Sequence, residues 1–310
     1  QSANPNDVFV INNHTGSYAS PGSGDPDFRT QWGSALASQA KLSGYPSGSV
    51  NRRTFSAYSS MGGSAMSRGD WSSAASTVIG ESSCVNVAAE SSIDMLSRQL
   101  TVKVEMYYTA NGSASSNKLN VVLLQNNVEG PQTGGSSYNP SQILSNGNYN
   151  HMHMLRHLLT GQYGVSIDTT TQGTFISRTY TYTIPASLNY ITYELTDLEV
   201  LVFIAEGNEN IISGSKSAMI YTNSQGSTAC DLISFPLTED FESGIFPPQG
   251  WTVNNPDNSI TWAKNTQAGY NSSASAYIEN SNYASNGQQD ELLLPLIDVS
   301  GVEDDIRVKA

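Results

Sequence analysis

The chain has 310 residues, with 27 acidic against 14 basic side chains and a net charge of −13, yet only 13% of its residues are charged. A field of that sign repels phosphate backbones and argues against nucleic acid as a partner, and no apolar run reaches the ~18–20 residues of a membrane span. Uncharged Ser, Asn, Thr, Gly and Gln take the place of charge, which suits an exported, turn-rich β protein of two or three domains. The polar opening QSANPND is no signal peptide, so a processed form or a fragment is expected.

Residues 1–82 read as a small α/β unit. NDVFVINNH predicts a strand, and Phe28, Trp32, Leu36 and Ala40 recur at helical spacing. A turn and a strand around Val50 follow. Asp70 is then expected to cap a second helix, WSSAASTVIGES, with Trp71, Ala75 and Val78–Ile79 on one side. From Cys84 the period changes to two: Leu100, Val102, Val104, Met106 and Tyr108 alternate. Asn111–Gly112 turns the chain and KLNVVLLQNN returns it. RTYTYTIPASL, LEVLVFIAEGN and KSAMIYTN add strands, and MHMLRHLLTG reads as the one helical interruption. Residues 83–234 therefore predict an antiparallel β-sandwich. Residues 235–310, with short strand-like pieces between Asn, Ser and Gly turns, predict a jelly-roll sheet.

Several constellations carry chemistry. Cys84 and Cys230 are the two cysteines; they form a disulfide or remain free thiols, and the exported composition favours the bridge. His151, His153 and His157 cluster within seven residues. On a strand the first two would share a face and offer two imidazoles to a metal, or they pack and hydrogen-bond beside Tyr149 and Arg156. His14 reads as structural. Arg68–Gly69–Asp70 spells an adhesion tripeptide, but the capping role of Asp70 accounts for it. In the last region Glu242, Asn255, Asp257 and Asp290 are oxygen donors near strand ends, the hard-ligand set that suits Ca2+. Alternatively Asp257 belongs to a turn and Glu242 is a solvated edge charge. No nucleophile elbow, phosphate-cradling loop or dinucleotide fingerprint occurs, which points away from an enzyme.

VFVINNHTGSYASPGSGDPDFRTQW, KLSGYPSGSVNRR and LQNNVEGPQTGG with YNHMHMLRHLLTGQYG resemble the Bacteroidota family related to the twenty-eight-kilodalton outer membrane protein. The tail, DFESGIFPPQGWTVNNPDNSITW to ELLLPLIDVSG, resembles a cleaved-adhesin or choice-of-anchor J jelly roll. The resemblance implies a multidomain, mainly β chain. Its parts would be a partial thioredoxin-like unit at 1–82 without a Cys-x-x-Cys, a β-sandwich at 83–234 and an incomplete jelly roll at 235–310. Dithiol exchange is excluded by the missing Cys pair. Pro46 falls where such folds place a cis-proline, and Glu242 with a later Asp falls where such jelly rolls hold calcium. Asp168–Thr169–Thr170 fits the loose pattern that such bacteria O-glycosylate, with Thr169 as acceptor.

The implied function is a non-enzymatic structural or assembly protein, at the cell surface or exported by the type-nine route, which forms a filament or a surface layer. The alternative is a calcium-supported adhesin module for glycan or protein ligands. Partners are further copies, surface proteins or glycans. Both end domains read as incomplete, so a longer natural chain, a strand donated by another copy or a smaller closed sheet is expected.

Overall fold

The computed structural model describes residues 4, 7–59, 61–222, 238–248, 250–255, 259–269, 271–282 and 290–295. The chain divides into two compact units, Gln1–Gln225 and Gly226–Ala310.

In the first unit, the stretch expected to be a strand at NDVFVINNH makes one bridge instead. Asn12 N–H donates to the His153 carbonyl at 2.8 Å, and the Asn12 carbonyl accepts from Leu155 N–H at 2.9 Å. Helices α1 (Gly33–Ala40) and α2 (Trp71–Ile79) form where the apolar spacing predicts them. Between them, β1 (Ser47–Gly48) pairs with β2 (Met66–Ser67). A side chain at Gly48 would press within 2.7–2.8 Å of the Trp71 indole, so this crossing needs a glycine. Asp70 stands at the N-cap of α2 but makes no side-chain capping bond, contrary to its expected role. The Tyr45–Pro46 peptide is cis.

The strands that follow are β3 (Val85–Asp94), β4 (Gln99–Tyr108), β5 (Asn117–Gln125), β6 (Val128–Gly130), β7 (Tyr149–His151), β8 (Met154–Leu158), β9 (Val165–Ile167), β10 (Phe175–Thr183), β11 (Ser187–Leu188), β12 (Ile191–Thr192), β13 (Leu198–Glu206), β14 (Glu209–Lys216) and β15 (Ala218–Thr222), of which β6 with β7 and β11 with β12 form separate small ladders. One sheet runs β10-β4-β3-β15, and the other runs β14-β13-β5-β8 with β9 also against β5. The pairing is antiparallel except for β15, which lies parallel to β3. MHMLRHLLTG is not a helix: its centre is strand β8, hydrogen-bonded to β5.

Two apolar layers hold this unit. Between the sheets, Val102, Val104 and Met106 of β4 meet Leu119, Val121 and Leu123 of β5 and Val200, Val202 and Ile204 of β13. On the other side of the second sheet, Val122, Leu124, Leu201 and Phe203 are covered by Phe9, Trp32 and Leu36. Successive residues of β5 and β13 thus bury opposite faces, which is why both strands are apolar without a break.

In the second unit, β16 (Thr252–Asn254), β17 (Ala263–Asn265), β18 (Ser275–Tyr277) and β19 (Glu291–Leu293) form two antiparallel ladders, β16 with β19 and β17 with β18. Phe241 lies 5.7 Å from Trp251 and 6.3 Å from Phe246, ring centre to ring centre.

Candidate functional site

The β16–β19 register pairs Asn254 with Glu291, and their side chains hydrogen-bond on the outer face, Nδ2 to Oε2 at 2.9 Å. One step beyond the ladder the same register sets Asn255 opposite Asp290. Alternation turns these two side chains to the other face, the one carrying half-buried Val253 and Leu292. There both carboxylate oxygens of Asp290 and the Oδ1 of Asn255 are shielded from solvent and meet no hydrogen-bond partner among the described residues.

The Thr261 hydroxyl, one residue before Trp262, is in the same condition. The Trp262 indole N–H donates to the Asp290 carbonyl at 3.0 Å, and the Asn255 amide donates to the Ser259 carbonyl at 3.1 Å. These bonds fix the backbone and amide while leaving the acceptor oxygens unused. A carboxylate denied both water and a partner is costly. A cation answers that cost, and a donor set of carboxylate, amide and hydroxyl oxygens fits a hard ion such as Ca2+.

The four predicted ligands fare differently. Asn255 and Asp290 each stand one residue past the paired ends of β16 and β19. Glu242 is committed elsewhere: its carboxylate accepts from the Ser273 backbone N–H and hydroxyl, and those bonds hold it below the usual carboxylate range. Asp257 lies outside the described residues. No group of three His, Cys, Asp or Glu side chains gathers for a metal among the described residues, so amide, hydroxyl and carbonyl oxygens or water must complete any shell. Thr261 was not anticipated, because a lone hydroxyl gives no sequence signal.

In the first unit the histidine triplet disperses. His151 ends β7, its ring 4.5 Å from Phe28 and 5.0 Å from Tyr149. His153 follows in a left-handed backbone conformation, φ 53°, and its Nδ1 lies 2.9 Å from the Glu199 carboxylate. His157 stacks on Tyr182 with ring centres 4.2 Å apart. The three imidazoles do not converge on one metal.

Glu199 was likewise not anticipated. It sits in β13 at 4% exposure, and besides His153 it receives Lys216 at 3.0 Å and Asn126 at 3.1 Å. Burial pushes its carboxyl up, but the bonds from His153, Lys216 and Asn126 outweigh it and hold the pKa at about 2. A carboxylate inside the apolar run LEVLVFIA was the available signal, since such a group must be paired.

Of the remaining predicted positions, Thr169 is exposed between β9 and β10. Its neighbour Thr170 is buried and donates to the Ala114 carbonyl at 2.7 Å. Cys84 packs half-buried against the sandwich core, while Cys230 lies outside the described residues. Arg68–Asp70 forms a single helical turn, with the Arg68 guanidinium 4.9 Å from the Tyr138 ring centre.

Residues 33–222 match the family model described as outer membrane protein Omp28. Among solved structures, a domain of the outer membrane lipoprotein Omp28 from Porphyromonas gingivalis aligns with 11% identity and a TM-score of 0.31, over 46% of this chain and 93% of that one. HBP35 of Porphyromonas gingivalis aligns with 16% identity and a TM-score of 0.47, over 86% of this chain and 80% of that one. No curated protein matches the sequence.

Proposed function

Because the chain belongs to the family of outer membrane protein Omp28, we propose that it is a non-catalytic protein of the bacterial cell surface whose second unit is a calcium-supported binding module. Its ligands are surface proteins or glycans. The observation that carries this reading is the set of shielded oxygens on Asp290 and Asn255, at adjoining ends of β19 and β16, that have no partner among the described residues. When bound, Ca2+ supplies the positive charge that these oxygens lack. Asp290 and Asn255 would hold it from the ends of β19 and β16, with further oxygens from water or neighbouring groups. The ion would thereby lock the adjoining ends of β16 and β19.

The test is equilibrium Ca2+ binding by competition with a chromophoric chelator, on the full chain and on Asp290→Ala. One bound ion, lost in the variant, is expected; equal uptake by both proteins, or by neither, overturns the assignment. Retention on immobilised glycans and host proteins with Ca2+ and with chelator then reports whether the ion supports ligand capture.

A second reading, self-association into a filament or surface layer, is favoured by β10. This nine-residue strand closes its sheet with one edge unpaired among the described residues, a template for a strand from another copy. Arg178 sits among Ile176, Tyr180 and Tyr182 on the core-facing side of that edge, a placement that opposes pairing. Light scattering of purified material separates the readings, since growth with concentration supports assembly and a persistent monomer supports capture. We further propose Thr169 as a sugar acceptor, on its exposure in the turn.

A further inference from the structure

His14 and His151, from distant parts of the sequence, face each other in the first unit with ring centres 5.2 Å apart at 72°. Phe28 closes the group, 5.1 Å from His14 and 4.5 Å from His151, and Tyr149 stands beside His151. His151 is 4% exposed. The Nδ1 of His14 and the Nε2 of His151 are both shielded from solvent and without a hydrogen-bond partner among the described residues, while the His151 ring also meets the Gly130 and Pro131 backbone. Two unsatisfied ring nitrogens in one aromatic enclosure are the kind of exception that asks for an unseen ligand.

Burial pushes both imidazoles toward the neutral form, and His14, which also feels His151, falls to about 4. At neutral pH both rings therefore carry a free lone pair, the state in which imidazole ligates metals. No third His, Cys, Asp or Glu joins them among the described residues, and that limits the ion. Ca2+ and Mg2+ require six or more oxygens, and Zn2+ takes four ligands. Monovalent copper has a filled d shell, accepts two nitrogen donors and tolerates a dry shell of rings, and imidazole is among the ligands that suit copper.

We propose that His14 and His151 bind a single Cu+ ion, each giving one ring nitrogen. The ion would clamp the opening segment to β7, next to the bridge Asn12 already makes with β8. This site is independent of the calcium site and of the reading built on it.

The experiment uses the full chain with Cu+ kept reduced by ascorbate and competing against bicinchoninate. One equivalent withheld from the chelator is expected, lost in His14→Phe and in His151→Phe and kept in His157→Phe, whose ring belongs to the Tyr182 stack. Melting curves without copper establish that each variant is folded. Should a variant fail to fold, NMR of the unaltered protein decides instead. One equivalent of Ag+, a closed-shell stand-in, should then shift the ring signals of His14 and His151 and leave those of His153 and His157. The proposal is overturned if no copper is withheld, if the folded variants retain it, if other histidines shift, or if Zn2+ binds the pair as tightly.

Discussion

The two units differ in what their interiors are made of. In the first, both faces of β5 and β13 press into apolar layers, and the buried carboxylate of Glu199 collects three donors. In the second, Pro248 and Ala274 are buried, while Ile245, Leu293 and Leu294 lie open to solvent. Its inward-facing carboxylate, Asp290, collects nothing. Among the described residues, the first unit pairs its buried carboxylate with its own side chains, whereas both carboxylate oxygens of Asp290 in the second meet no donor.

That contrast can be broken at several points. Leu123→Ala empties a position at 0% exposure between the two sheets and should cost about 3–4 kcal/mol. Denaturant titration should show the loss in the first unit's transition; a change under 1 kcal/mol would mean the layer is not tightly packed.

Glu199→Gln should cost about 2–3 kcal/mol by unbalancing its donors. Acid should reproduce the effect in the unaltered protein. The folded carboxyl at about 2 lies below its ordinary value near 4.5, so the stabilisation is complete above that value and lost as pH falls toward 2. Stability measured between pH 5 and 2 should fall more steeply for the natural chain than for Glu199→Gln. Parallel curves would show that the pairing contributes nothing.

In the second unit, Trp262→Phe removes the bond to the Asp290 carbonyl and should cost about 1 kcal/mol, confined to that unit's transition. An unmoved transition would mean the bond does not position Asp290. Thr169→Ala, at an exposed turn, should change stability by less than about 0.5 kcal/mol and, in protein from the native host, remove any sugar mass seen by intact mass spectrometry. A sugar that persists in the variant places the modification elsewhere.

The sequence displayed the sandwich because its physics is repetitive. Alternation in β4 reported one buried face, and unbroken apolar runs in β5 and β13 reported two. It misled at MHMLRHLLTG, where Met, Leu and Arg favour a helix. Burying Met154, Leu155 and Leu158 between β5 and the opening segment decided for a strand. It misled again at NDVFVINNH, whose apolar pattern serves to cover a sheet rather than to extend one. Asn255 and Asp290 were visible as donors near strand ends, yet only the β16–β19 register, extended by one residue, sets them at adjoining ends of one ladder. Glu242 had the same composition signal, and Ser273 claims it. Cross-strand register and competing local bonds are not written in residue types, and those two decided the site.

Differential scanning calorimetry of the full chain, with Ca2+ and then with chelator, tests the central contrast most directly. Calcium near a hundredfold above its dissociation constant should stabilise the second unit by about 2.7 kcal/mol, raising its transition while the first unit's stays in place. In Asp290→Ala that response should vanish. A calcium response in the first unit's transition, or none in either, would contradict the account.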